Sequence, residues 1–225
     1  MKTRLAAGLA ALALISAPQA YSAPKPPATW DGLDKVPAKR QDAAYLAPGA
    51  DFKPYTKVML DPTEVAFQKN WLRDYNDETL DLAAKISESD AKKMLAKIQT
   101  GFEQIFTKAY TDAGYQVVTE PGPDVLRLRT AVLNLSIAAP DRMTPNRTVS
   151  FSRDAGTATL VLEARDSMSG AILGRGVDGK TVGDNGPYLR NSVTNRGDFS
   201  EVFQRWAKIS VNALAELKAG TPPAP

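Results

Sequence analysis

The stretch Thr157-Ala-Thr-Leu-Val-Leu-Glu-Ala-Arg-Asp166, with Ser167-Met-Ser-Gly170 and Ala171-Ile-Leu-Gly-Arg-Gly-Val-Asp178 behind it, decides the fold. Ala158, Leu160, Leu162 and Ala164 fall on one face of an extended chain; Thr159, Glu163 and Arg165 fall on the other. A period of two with a single apolar face marks a strand that packs on one side only. Ser167–Gly170 is turn-forming, so 171–178 returns as the second arm of an antiparallel hairpin.

Toward the N-terminus, Val125 to Ala138 is the longest strand. Leu126 and Leu128 alternate with Arg127 and Arg129, and past Ala131 the apolar phase moves to Leu133, Leu135 and Ile137. That shift predicts a bulge, or a far end covered on both faces. Pro121-Gly-Pro-Asp124 reads as a turn and Tyr115 to Thr119 as a short strand before it. In Lys57 to Phe67, Val58 and Leu60 share a face and Val65 and Phe67 the opposite one, with Asp61-Pro62 between. Proline cannot donate to a ladder, so a bulge or strand break is expected there.

The covers are two amphipathic helices. Asp90 to Ala113, capped by Ser87 or Ser89, carries Ala91, Met94, Leu95, Ile98, Phe102, Ile105, Phe106 and Ala109 at three- and four-residue spacing, and Gly114 stops it. Phe199 to Lys218 carries Phe199, Val202, Phe203, Trp206, Ile209, Ala213 and Leu217, with Asp198 and Glu201 spaced as a capping box and Gly220 at its end. A short helix is expected around Leu80–Ile86, and Gly179–Arg196 reads as a long loop. The order β-α-β-β-β-β-α predicts an α+β two-layer sandwich: a mixed, mostly antiparallel sheet of about five strands under two helices, with a right-handed first crossover.

Four segments are expected. Residues 1–22 have a positive head (Lys2, Arg4), an apolar run from Leu5 to Ala17 and a small-residue exit, the pattern of a signal peptide cut before Ala23, or else after Ala20. The apolar run is too short for a transmembrane anchor. Residues 23–56 are proline-rich and extended, 57–220 form one α+β domain, and 221–225 are a tail. Periplasmic or secreted localisation follows. Without the leader, 26 basic residues face 25 acidic ones, a net charge of +1, which gives no electrostatic case for nucleic acid.

The chain has neither histidine nor cysteine. Ser-His-Asp triads, thiolate nucleophiles, disulfides and histidine- or cysteine-bound metals are thereby excluded. Gly174-Arg-Gly-Val-Asp-Gly-Lys-Thr181 matches the phosphate-loop pattern, but Val182-Gly-Asp-Asn-Gly-Pro187 cannot start the helix that such a loop needs. Asp74, Asn76 and Glu78 fail as a calcium loop, since Thr79 stands where glycine and Lys85 where the bidentate glutamate belong. Asp61 with Glu64, and Glu163 with Asp166, are the carboxylate pairs a glycan hydrolase would use. Arg127, Arg129, Arg165 and Arg175 are candidates to line the outer sheet face and meet an anionic envelope component or an envelope protein; cross-strand pairing with Glu163 is the competing use.

Three blocks carry a family resemblance: Pro48-Gly-Ala-Asp-Phe52 with Tyr55, Lys57-Val-Met-Leu-Asp-Pro62 and Val65; Ala113-Gly-Tyr115 with Pro121-Gly-Pro-Asp-Val-Leu-Arg-Leu128; and Asp166-Ser167, Ser169-Gly170 and Leu173. In this order, from about Asp31 to the last helix, they resemble the bacterial domain of unknown function 3313. The resemblance implies a small envelope protein, often lipid-anchored, with no established activity. The chain departs from it in having no cysteine to lipidate.

The function expected is a non-catalytic exported envelope protein that binds a partner or ligand, with no catalytic, cofactor-binding or metal-binding residue assigned. The alternative is a carboxylate- or serine-based hydrolase of envelope glycan or ester. A third reading, a carrier of a fatty ligand, calls for an apolar cavity between helices and sheet.

Overall fold

The computed structural model describes residues 26–38, 40–80, 82, 85–138, 150–152, 154–184, 188–190 and 192–220. The signal-peptide pattern and the tail lie outside these residues. The chain runs β1 (Thr29–Trp30), β2 (Leu33–Val36), β3 (Ala43–Leu46), β4 (Lys57–Leu60), β5 (Glu64–Phe67), α1 (Trp71–Glu78), α2 (Glu88–Asp112), β6 (Gln116–Val118), β7 (Val125–Ile137), β8 (Ser150–Ser152), β9 (Gly156–Asp166), β10 (Ile172–Val182), β11 (Tyr188–Arg190) and α3 (Ser192–Lys218).

Nine strands form one mixed sheet in the order β1-β2-β3-β10-β9-β7-β4-β6, with β5 beside β4 on the same edge of β7; β8 and β11 pair separately. The fold is α+β, as expected, but the sheet has nine strands rather than five and there are three helices rather than two. The β7–β9–β10 meander is antiparallel, while β4 pairs in parallel with both β6 and β7.

The added strands have physical causes. Within the proline-rich segment, Thr29–Trp30, Leu33–Val36 and Ala43–Leu46 form β1, β2 and β3 of the sheet. Asp31 and Gly32 both adopt positive φ (51° and 79°) between the paired Trp30 and Leu33. Asp-Gly is the pair that a tight two-residue hairpin turn prefers. The Asp61-Pro62 break splits the expected Lys57–Phe67 strand into β4 and β5, both parallel to β7. At the gap Thr63 donates its N–H to Glu103 Oε1 (2.9 Å), and its hydroxyl meets that of Thr130.

The phase change in β7 falls at Asn134, three residues beyond the expected point. Register with β9 slips between Leu133 and Ser136, Asn134 takes φ 50°, and Val132 and Leu135 are both buried. Asparagine tolerates that left-handed conformation better than most residues. Opposite, Gly156 has φ 140°, and a Cβ there would overlap the Ser136 carbonyl oxygen.

Helix α2 starts where expected: Ser87 accepts the Asp90 N–H, and Gly114 (φ 88°) follows its end. The short helix is α1, earlier than the expected Leu80–Ile86, because Trp71 stacks on Phe67 at 4.1 Å and on Tyr75 at 5.7 Å. Leu80 and Leu82 are exposed instead. Helix α3 begins at Ser192, so Asp198 and Glu201 lie inside it and are not a capping box. The loop expected over Gly179–Arg196 is replaced by the end of β10, by β11 and by the first turn of α3.

Both long helices lie over the inner sheet face. Phe102 of α2 meets Phe203 of α3 edge-on at 5.2 Å, and both sit in a core with Val58, Leu126, Leu128, Val132, Leu135, Leu160 and Trp206. The Tyr110 hydroxyl meets the Ser210 hydroxyl between the helices. A small second cluster of Leu33, Ala43 and Tyr45 is separate from that core. Tyr45 stands opposite Arg175 in the register, which puts this cluster on the outer face.

Candidate functional site

The four arginines do share the outer face, on adjacent strands. In register, Arg127 faces Arg165, Arg129 faces Glu163, and Glu163 faces Arg175. Each is matched by a carboxylate. Asp61, at the β4–β5 break, accepts the Arg127 Nε–H at 2.9 Å and pairs with Arg129 at 3.5 Å. Glu163 accepts Arg165 through Oε2 (2.6 and 2.9 Å) and Arg175 through Oε1 (3.0 Å from Nε). Arg175 is buried, pairs also with Asp31 at 2.8 Å, and lies 4.1 Å from the centre of the Trp30 ring. The face is a ladder of internal pairs, the use that competes with anion binding.

The same ladder sets the state of the carboxylates. Burial pushes the Glu163 carboxyl up, but hydrogen bonds from Arg165 and Arg175 outweigh it and hold the group below its ordinary value. Asp166 is lowered as well, first by the Ser169 N–H and hydroxyl and then by Tyr55. A general acid for glycan cleavage needs the opposite shift. Glu64 is exposed on β5, away from these contacts. Asp74, Asn76 and Glu78 lie on α1, where Asn76 grips the Ile86 backbone through both ends of its amide (2.8 and 2.9 Å).

Gly174 to Thr181 lies within strand β10, paired with β9 throughout. Its glycines answer to packing. A Cβ on Gly174 would press on Leu46 and the Tyr45 carbonyl, and one on Gly176 would run into the Gln41 amide. The bare position at Gly176 lets Gln41, in the segment before β3, lie close over β10.

That segment borders an apolar cavity of about 140 Å³ between α3 and the inner face of β7, β9, β10 and β3. Its width follows from simple dimensions. Six strand positions from β3 to β6, about 4.8 Å apart, make a floor nearly 30 Å wide, whereas two packed helices cover about 20 Å. The cavity lies over β7, β9, β10 and β3. Leu128, Leu160, Leu162 and Ala164 form its floor, Ile209, Ala213 and Leu217 its α3 wall, and Leu46 and Phe52 its far side. Ile209, Ala213 and Leu217 are only half-buried, so this part of the α3 stripe faces space rather than sheet.

Polar groups stand at the margins. Arg40 pairs with Glu216 across the cavity at 3.6 Å, and Gln41 reaches over Gly176. On the inner face beside it, buried Asp178 accepts the Trp206 Nε1–H at 2.8 Å and pairs with Lys180 at 2.7 Å, fixing α3 to β10. No pattern in the sequence locates such a cavity. The Ile209-Ala213-Leu217 row was its one visible trace.

The three sequence blocks converge at one end of this scaffold. Tyr55 donates to Asp166, Thr56 donates to Asp124, and Ser167 bonds both the N–H and the carbonyl of Gly122. A family model described as a protein of unknown function (DUF3313) matches residues 27–209. The chain belongs to the DUF3313 family. No curated protein matches this DUF3313 chain. Among solved structures it is similar to protein XCC0632 from Xanthomonas campestris (10% identity, 78% of this chain and 91% of that one, TM-score 0.40). It is also similar to the PelC dodecamer from Paraburkholderia phytofirmans (11%, 72% and 95%, TM-score 0.34) and to a minor lipoprotein from Acinetobacter baumannii (12%, 75% and 97%, TM-score 0.27). Among the described residues of this DUF3313 protein, no helix is long and apolar enough to cross a membrane.

Proposed function

We propose that this DUF3313 protein is an exported, non-catalytic, envelope-associated module that binds an apolar ligand in the cavity beneath α3. The cavity carries the reading: a concave apolar space with a few polar groups at its rim is the usual form of a small-molecule site. The ion-paired outer face supports it by elimination, because its arginines are already paired with Asp61, Glu163 and Asp31. Glu163, held below its ordinary value by Arg165 and Arg175, counts against the hydrolase. The leader pattern in residues 1–22 supports export.

The test is isothermal titration calorimetry of the purified protein with benzene, a probe matched to a cavity of this volume. We expect a saturable single site, weakened at least tenfold by Ala213→Phe, which fills the space, and untouched by Lys208→Ala on the exposed side of α3. Absence of saturable binding, or equal binding by Ala213→Phe, overturns the reading. Export is checked by intact mass: a chain starting at Ala23 or Tyr21 is expected, and an uncut Met1 refutes it.

A further inference from the structure

We infer that the ligand is a single-chain amphiphile, with an unbranched hydrocarbon tail in the cavity and an uncharged hydrogen-bonding head at the rim. This rests on the cavity being the binding site.

Size limits the tail. An engineered apolar cavity of about 150 Å³ in another protein holds one benzene ring, so 140 Å³ accommodates about six to eight carbons of one chain. A sterol or a pair of acyl chains does not fit. Shape selects a linear form, because Ile209, Ala213 and Leu217, four residues apart, line up along the axis of α3 as a straight apolar wall.

The rim limits the head. Arg40 and Glu216 at the rim are already joined, and Arg175, which also borders the space, gives its guanidinium to Glu163 and Asp31. A carboxylate head would compete with Glu216 for Arg40 and leave Glu216 without its partner; an ammonium head would do the reverse. A hydroxyl, ester or amide leaves the pair intact. Gln41, folded over Gly176 at the same rim, supplies both a donor and an acceptor for such a head.

The experiment is displacement of bound benzene, followed by calorimetry, by straight 1-alkanols from butanol to dodecanol, with octanoate and octyltrimethylammonium as charged counterparts. Each added methylene should tighten binding about fourfold until about six to eight carbons, after which affinity levels off. Octanol should bind about fivefold or more tightly than either charged octyl probe. Gln41→Leu should weaken octanol about fivefold, with an unchanged thermal melt showing that the variant is folded. A charged probe that matches octanol, affinity that climbs steadily to dodecanol, or a folded Gln41→Leu protein indifferent to the head would each overturn the inference. Failure of benzene itself to bind sinks the cavity reading instead, so the two failures are separable.

Discussion

The Tyr55 hydroxyl donates to Asp166 Oδ2 at 2.9 Å, joining the residue just before β4 to the turn after β9 across 111 positions of sequence. Asp166 Oδ1 meanwhile accepts the Ser169 N–H and hydroxyl, both at 2.7 Å, and the Met168 N–H at 3.2 Å. One carboxylate therefore closes the β9–β10 turn and anchors the entry to the parallel strands. Tyr55→Phe should cost about 1–2 kcal/mol and Asp166→Asn somewhat more, since several donors lose a charged acceptor. In a double-mutant cycle read by urea denaturation, the two losses should be less than additive.

Stability should fall at both ends of the pH scale. Asp166 and Glu163 ionise below their ordinary values in the folded chain, so unfolding takes up protons at low pH. Their contribution is fully present above the unfolded carboxylate range, about 4, and is lost as pH drops through the depressed folded values. Tyr55 works the other way: burial, and then the Asp166 hydrogen bond, push its hydroxyl up to about 12. Its contribution is complete below about 10 and disappears as pH rises toward 12. Denaturation midpoints against pH check both limbs; Tyr55→Phe should soften the alkaline one and, by removing one of the donors that lower Asp166, part of the acid one.

How much of this was legible depended on the range of the contact involved. The alternation in 157–166 and the Ser87 cap are local, and the structure has both. The N-terminal strands were signalled by Asp31-Gly32, a two-residue hint overshadowed by the surrounding prolines. The start of α3 was misplaced because Asp and Glu occur inside helices as well as at their caps, and Gly197 costs a helix only about 1 kcal/mol. The Arg127, Arg129, Arg165 and Arg175 face was located correctly, but pairing with Asp61 required knowing that the β4–β5 break abuts β7. The cavity depends on the spacing between α3 and β10, which no periodicity encodes.

Gly156→Ala is expected to cost more than about 3 kcal/mol. Its φ of 140° is closed to other residues, and the added carbon meets the backbone of Ser136, which has little freedom to withdraw. Gly170→Ala, at φ 73° with open space around it, should cost only about 1–2 kcal/mol. Guanidinium titrations of both variants test the contrast, and equal losses would contradict it.

Asp178→Ala should destabilise by about 2–4 kcal/mol, because it strands the Trp206 Nε1–H inside the core and removes the partner of Lys180. Trp206→Leu with Asp178→Ala in one chain should lose less than the two single losses together. Thermal melts of the three variants decide it.

Among the described residues of the short crossing 36–41, Arg40 meets Glu216 and Gln41 rests on a bare glycine. None of them belongs to the main core. On the proposed reading, lengthening or exchanging that crossing retunes which molecules enter while both long helices and the central meander stay as they are. Head-group preference would then vary among relatives of this architecture without touching Leu128 and Leu160, which floor the cavity and belong to the core.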